Sequence, residues 1–315
     1  MLAYNICFIM LAGFKDGNPK KRKSFMMEKF TEKDGYLYGP WRSPVNEWAG
    51  ASSSIHNDDT ARKVGMRGGT IPGTVHLNLF PPLMLELFGP RWFESGCISM
   101  FYAYATTDRE EVRAIVQMPA QNTPDTLLEA RVEARTDNRL VAQGTISMGN
   151  PAQPSYLHSL ELKDAPPEEL RILAGLKKGM KLPSKEVLIP REDAAKRVEN
   201  ITDPLSWYTG DSPWGGPILS VSAAYGALIL VPILPKEQEE GSVGFFGATE
   251  IKYIHGPIKT DVPYTANGEI LCVGASSKTE FYWYDSMLEE KESGKPVAKM
   301  RKLIRKMKKS SPLWA

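Results

Sequence analysis

The chain predicts an α+β protein built from two copies of one unit, each a single apolar helix beside an antiparallel meander. Three observations carry this reading. A glycine-rich segment recurs, with Gly68-Gly69-Thr70-Ile71-Pro72-Gly73 aligning with Gly215-Gly216-Pro217-Ile218-Leu219-Ser220 at an offset of 147 positions (68 to 215). Each segment leads into a run of helical apolar character, residues 74–88 and 221–234. After each helix come stretches of period-two apolar alternation separated by turn residues. An internal duplication accounts for all three.

The helices should break at Pro81-Pro82 and at Pro232, because proline removes an amide donor and its ring crowds the preceding turn. A glycine and an apolar strand follow in each copy, at 96–102 and at 241–247. The remaining strands of the first copy fall at 111–118, 127–136 and 140–147, with a turn at Asp137-Asn138 between the last two. Those of the second fall at 249–254, 269–276 and 279–284. A sheet of this kind has one face to bury, and the apolar helix of each copy is the element available to cover it. Between the copies, residues 151–189 are rich in proline and lysine and read as a linker with one short helical pattern at 168–176. The expected organisation is therefore an N-terminal extension over 1–35, a first unit over 36–150, the linker, and a second, degenerate unit over 190–315.

Composition narrows the function classes. With 315 residues, 42% of them hydrophobic, the chain has ample material for a core. Its 39 basic and 37 acidic side chains nearly balance, which leaves no overall electrostatic footprint for nucleic acid. Cys7, Cys97 and Cys272 are too widely spaced for a zinc pattern or a disulfide framework, which fits a reducing, cytoplasmic setting. No metal is expected, since none of the four histidines has metal-ligand spacing with another histidine or a cysteine. The glycines form neither GxGxxG nor a P-loop, and no cofactor is expected.

The apolar stretch 2–14 contains Asn5 and falls short of the roughly 20 residues of a spanning helix. The basic cluster Lys20 to Lys23 follows it where a signal peptide would need it in front. Met26 or Met27 is thus a candidate natural start, with a membrane-surface anchor as the second reading and no stable membrane insertion expected. Near the other end, Lys299, Arg301, Lys302, Arg305, Lys306, Lys308 and Lys309 read as a solvated last strand and tail, interrupted by Val297, Met300, Leu303 and Ile304, so that part of it packs.

The segment with the greatest chemical content is Asn46-Glu47-Trp48-Ala49-Gly50-Ala51-Ser52-Ser53-Ser54-Ile55-His56-Asn57-Asp58-Asp59-Thr60-Ala61-Arg62-Lys63-Val64-Gly65. It resembles the MaoC-like, R-specific enoyl-CoA hydratase family of the hotdog fold, in which a G-D-x-N-P-[I/V]-H-x-D pattern precedes an Ala-x-x-x-Gly helix end, a Gly/Pro-rich turn and a long central helix. The match holds at Gly50, Ile55, His56, Asp58, Ala61, Gly65 and Gly73, while Ala51 stands where the family has its catalytic aspartate and Ser53 and Ser54 replace the asparagine and proline. The resemblance covers 36–150 well and 190–310 in outline. It implies a double hotdog with the two sheets running on as one around two central helices, and a lyase that hydrates enoyl-thioesters or dehydrates 3-hydroxyacyl-thioesters. The implied partner is an acyl-CoA or acyl-carrier thioester; a homodimer is also an open expectation.

That chemistry needs a base for water, an acid for the α-carbon and N–H donors for the developing enolate. His56 is the candidate proton carrier, and the helix start at Gly73 and Thr74 the candidate oxyanion site. Candidate partners for His56 are Asp58, Asp59 and Glu47, or Ser52 and Ser53 orienting a water; Asp211, from the second copy, is a further candidate across the interface. Asp58 and Asp59 equally suit the first turn of a helix. In the second copy, Tyr208 and Asp211 occupy the region after the place of His56 and are candidate pocket residues, with a structural turn as the competing reading. Of the other histidines, His76 falls within the central helix, His158 in the linker and His255 in a turn.

Overall fold

The computed structural model describes residues 30–51, 54–120 and 124–314. Most of the expected N-terminal extension, with Cys7 and both candidate start methionines, lies outside the described residues, as does Ser53. Eleven strands form one sheet: β1 (Thr31–Lys33), β2 (Tyr36–Tyr38), β3 (Cys97–Tyr102), β4 (Val112–Gln117), β5 (Thr126–Ala134), β6 (Leu140–Met148), β7 (Lys181–Val187), β8 (Gly244–Tyr253), β9 (Tyr264–Ala275), β10 (Thr279–Glu290) and β11 (Pro296–Met307). Their spatial order is β1-β2-β4-β5-β6-β3-β8-β11-β10-β9-β7. The two copies meet at β3 and β8, antiparallel from the Cys97 and Lys252 pair to the Phe101 and Ala248 pair, so their sheets run on as one.

Both central helices pack on the same face of this sheet. The first is Gly73–His76, a 3-10 turn at Leu77–Leu79, then Pro81–Phe88, and the break falls where the proline pair enters the first turn of the last segment. The second spans Val221–Leu228 and stops short of the expected 234, with Ile229 already extended and Pro232 disfavouring helical backbone at the residue before it. At the junction Asn78 and Ser222 exchange two hydrogen bonds: Asn78 Nδ2 donates to Ser222 Oγ at 2.8 Å, and the Ser222 amide donates to Asn78 Oδ1 at 3.1 Å. Polar groups buried between two helices must find partners, and these two find each other.

Several boundaries differ from the sequence reading. Residues 31–33, within the expected N-terminal extension, pair with 36–38 at the edge of the sheet. The separate strands expected at 241–247 and 249–254 are a single strand, β8. Residues 168–176 form no α-helix, because Glu280 on β10 accepts the amides of Arg171, Ile172 and Leu173, the donors a helix would need. The linker is built into the fold. Leu157 is buried against Ala248, Cys272, Trp283 and Leu303 on the face away from the helices, and β7 completes the edge beside β9. The basic C-terminal run is not uniformly solvated, since Lys302 is wholly buried.

Candidate active site

The loop carrying His56 is fixed by its backbone. The Thr70 amide donates to the Ile55 carbonyl at 2.9 Å, and Asn46 Nδ2 donates to the His56 carbonyl at 2.8 Å. Gly69 is required by close approach, because a Cβ there would lie 2.4 Å from the His56 oxygen. Asn57 caps the helix Asp58–Lys63 by accepting the amides of Asp59 and Thr60.

These constraints place His56 in a cleft of about 240 Å³, shared with Gly73, His76, Tyr102 and Tyr104 of the first copy and Phe245 and Phe246 of the second. His56 Nδ1 lies 2.6 Å from the Thr70 carbonyl oxygen. A carbonyl only accepts, so Nδ1 carries the proton and the lone pair of the neutral ring is on Nε2. Burial lowers the His56 pKa, opposed in part by that hydrogen bond, and favours the neutral ring. The first-turn amides of Gly73 and Thr74 have no acceptor among the described residues, while the Val75 amide turns back to Pro72.

The other expected site residues are placed elsewhere. Asp58 Oδ1 accepts the Gly69 amide at 2.6 Å and does not line the cleft. Among the described residues no carboxylate is hydrogen-bonded to the His56 ring. The expectation of a carboxylate partner is therefore not met: Asp58 is spent on the backbone turn and Asp211 lies exposed in a loop. Asp59 is exposed in the helix first turn. The Thr74 side chain is buried outside the cleft lining.

Sequence reasoning missed His76, Tyr102 and the phenylalanine pair. His76 falls three residues after Gly73, a spacing that puts it on the same helix face. Its Nε2 lies 2.8 Å from Thr106 Oγ1, its Nδ1 is buried without a partner, and burial takes its pKa down to about 4. Phe245 and Phe246 reach the cleft only because β8 lies beside β3.

The second copy repeats the backbone pattern and not the chemistry. Ile218 donates to Trp207 as Thr70 does to Ile55, and Leu219 donates to Ile258 as Ile71 does to Thr106. The structural offset at this turn is therefore 148 (70 to 218), one more than the glycine alignment gave. His56 corresponds to Tyr208, and Gly69 to Pro217, which has no amide to donate. Likewise Ala103 and Tyr104 both donate to Val141, as Ile254 and His255 do to Val297, so Tyr102 corresponds to Tyr253. Around Tyr208 and Tyr253 the equivalent space is taken by Trp92, Phe93, Trp207 and Trp214, whose rings pack edge to face at centroid distances of 5.1 to 6.1 Å. Tyr208 is thus a core residue here, packed where the first copy has its cleft.

No metal-holding cluster of histidine, cysteine, aspartate or glutamate occurs among the described residues, nor a helix long and apolar enough to cross a membrane. No protein-family pattern matches the chain, and no curated protein matches it either. Solved structures do. One described as a MaoC domain protein dehydratase from Chloroflexus aurantiacus matches at a TM-score of 0.57 and 9% identity, over 86% of this chain and 94% of that one. A conserved protein of Mycobacterium tuberculosis described as having a double hotdog fold matches at 0.52 and 12%, over 85% and 94%. A structure described as a MaoC-like dehydratase matches at 0.51 and 11%, over 85% and 97%. The chain therefore has the double hotdog fold of the MaoC-like dehydratase structures.

Proposed function

We propose that this protein is an acyl-thioester lyase of the MaoC-like type, adding water to an enoyl-thioester or removing it from a 3-hydroxyacyl-thioester carried on CoA or an acyl carrier. The observation that carries the reading is the pairing, in one cleft, of His56 held with Nε2 unprotonated and the helix start at Gly73, whose amide has no acceptor among the described residues. In the hydration direction Nε2 takes a proton from water as its oxygen bonds the β-carbon. Electron density moves to the thioester oxygen, which the Gly73 amide at the cleft receives. The imidazolium then returns the proton to the α-carbon, so one histidine serves as base and acid in turn. The Thr70 carbonyl does for ring orientation what a carboxylate does elsewhere, and it also favours the transient cation. Asp58 acts through the turn it pins.

Two other readings are outcomes of the same test. A thioesterase would release free thiol, and an acyl-binding protein without chemistry would bind and leave the thioester intact; the alanine at position 51 is the feature that favours the latter. Incubation with a panel of enoyl- and 3-hydroxyacyl-CoAs, following conjugated-thioester absorbance and free thiol in parallel, separates all three. His56→Ala should lower lyase turnover by roughly 100-fold with the fold intact. Full activity in that variant would overturn the assignment.

A further inference from the structure

Lys302 is wholly buried on the helix face of the sheet, where β11 pairs with β8. Its Nζ donates to Thr249 Oγ1 at 2.7 Å. Three rings also lie around it, with Nζ 3.5 Å from the Phe246 centroid, 4.4 Å from Tyr225 and 5.9 Å from Tyr102. No carboxylate pairs with it among the described residues. An ammonium has three N–H donors, and one hydroxyl cannot satisfy them; a buried cation without a counter-charge is costly. Burial accordingly pulls the Lys302 pKa down, toward a neutral amine.

A second observation points the same way. The Tyr102 hydroxyl is buried with no well-formed hydrogen bond, its one polar neighbour among the described residues being the Thr249 hydroxyl that Lys302 already engages. Tyr102 and the half-buried Phe246 both line the His56 cleft, so the amine stands one ring behind its wall. Two under-satisfied donors, one in the wall of the cleft and one a ring behind it, call for an acceptor that the described residues do not supply.

We infer that Tyr102, Thr249 and Lys302 form a receptor at the inner end of the cleft for a carboxylate carried on the far end of the substrate's acyl group. The inference rests on the acyl-thioester reading and narrows it to short monothioesters of dicarboxylic acids. The carboxylate supplies the counter-charge for Lys302 and an acceptor for Tyr102, with the Phe246 ring turning aside to admit it. The cleft, at about 240 Å³, is below the roughly 300–1,000 Å³ of ordinary ligand pockets, which matches a short chain. A plain alkyl chain of equal length would leave both donors unmet.

Isothermal titration of the full chain with glutaryl-CoA and with valeryl-CoA, which lacks the terminal carboxylate, tests this. Glutaryl-CoA should bind at least 10-fold more tightly, and the preference should vanish in Lys302→Met and shrink in Tyr102→Phe, each checked for folding by circular dichroism. Equal or tighter valeryl-CoA binding by the unaltered protein would overturn the receptor while leaving the thioester reading standing. Binding of neither would overturn the receptor, and with it the CoA form of the thioester reading. Retention of the full preference in folded Lys302→Met, or in Tyr102→Phe should the first variant not fold, would also overturn the receptor.

Discussion

Asp58 Oδ1 accepts the amide of Gly69 at 2.6 Å, and the carbonyl of the next residue, Thr70, is the one that holds His56 Nδ1. A carboxylate in the sequence motif thus acts on the imidazole through the backbone rather than by contact. Asp58→Ala removes the acceptor and should lower stability by about 1–3 kcal/mol, with a fall in kcat as the Thr70 carbonyl shifts. Asp58→Asn keeps an oxygen for Gly69 and should restore most of both. A proton-transferring carboxylate would behave differently, since asparagine would then be as inactive as alanine.

The protonation of His56 sets the pH dependence. Burial lowers its pKa, so the neutral, basic form predominates from a pH below the ordinary histidine value of about 6.5 upward. In the hydration direction kcat/KM should rise with a slope of one through a midpoint below 6.5 and be flat above neutrality. A midpoint well above 7 would remove His56 as the base.

Gly73 tests the oxyanion site. A Cβ at this position would lie 2.7 Å from the Tyr102 ring, too close for the ring to stay where it is. Gly73→Ala should therefore push Tyr102 across the cleft and displace the first-turn amides. Turnover should drop by more than 10-fold, the scale seen on losing an oxyanion donor being about 100-fold or more. Gly65→Ala, at a left-handed turn remote from the ring contact, should cost stability without this selective loss.

Much of the fold was legible in the sequence because it rests on local patterns. Proline pairs, glycine turns and period-two alternation located the central helices and most strands. The 168–176 segment was misread because its fate depends on Glu280, more than 100 residues away, taking the amides of a local helix pattern. The site was half legible for the same reason. His56 and Gly73 sit in a contiguous motif, whereas Phe245, Phe246 and Lys302 reach the cleft or its wall through the pairing of β3, β8 and β11. Tyr208 and Asp211 were assigned by analogy of position, and only packing shows that an aromatic cluster fills the second copy's equivalent space.

The connecting segment should act as an acid-sensitive latch. Ser155 Oγ and His158 Nδ1 both engage Glu250 on β8, at 2.5 Å and 3.1 Å, and hold residues 155–158 against the face of the sheet away from the cleft. Burial pushes the Glu250 pKa up, but the hydrogen bonds from His158 and Ser155 and the His158 charge outweigh it, leaving the pKa below the ordinary glutamate value. A carboxylate depressed in the folded state contributes stability that is fully present above its unfolded value of about 4.3 and is lost as pH falls through the lower folded value. His158→Ala removes the largest lowering influence and leaves burial opposed only by Ser155 and Ser99, so the Glu250 pKa should rise. Acid unfolding followed by circular dichroism should then shift to higher pH, with stability at neutral pH lower by about 1–2 kcal/mol. An unchanged acid midpoint would show that the segment is held without Glu250, by Leu157 packing and by the Tyr156 and Leu157 amides on Thr145 Oγ1 and Ser99 Oγ.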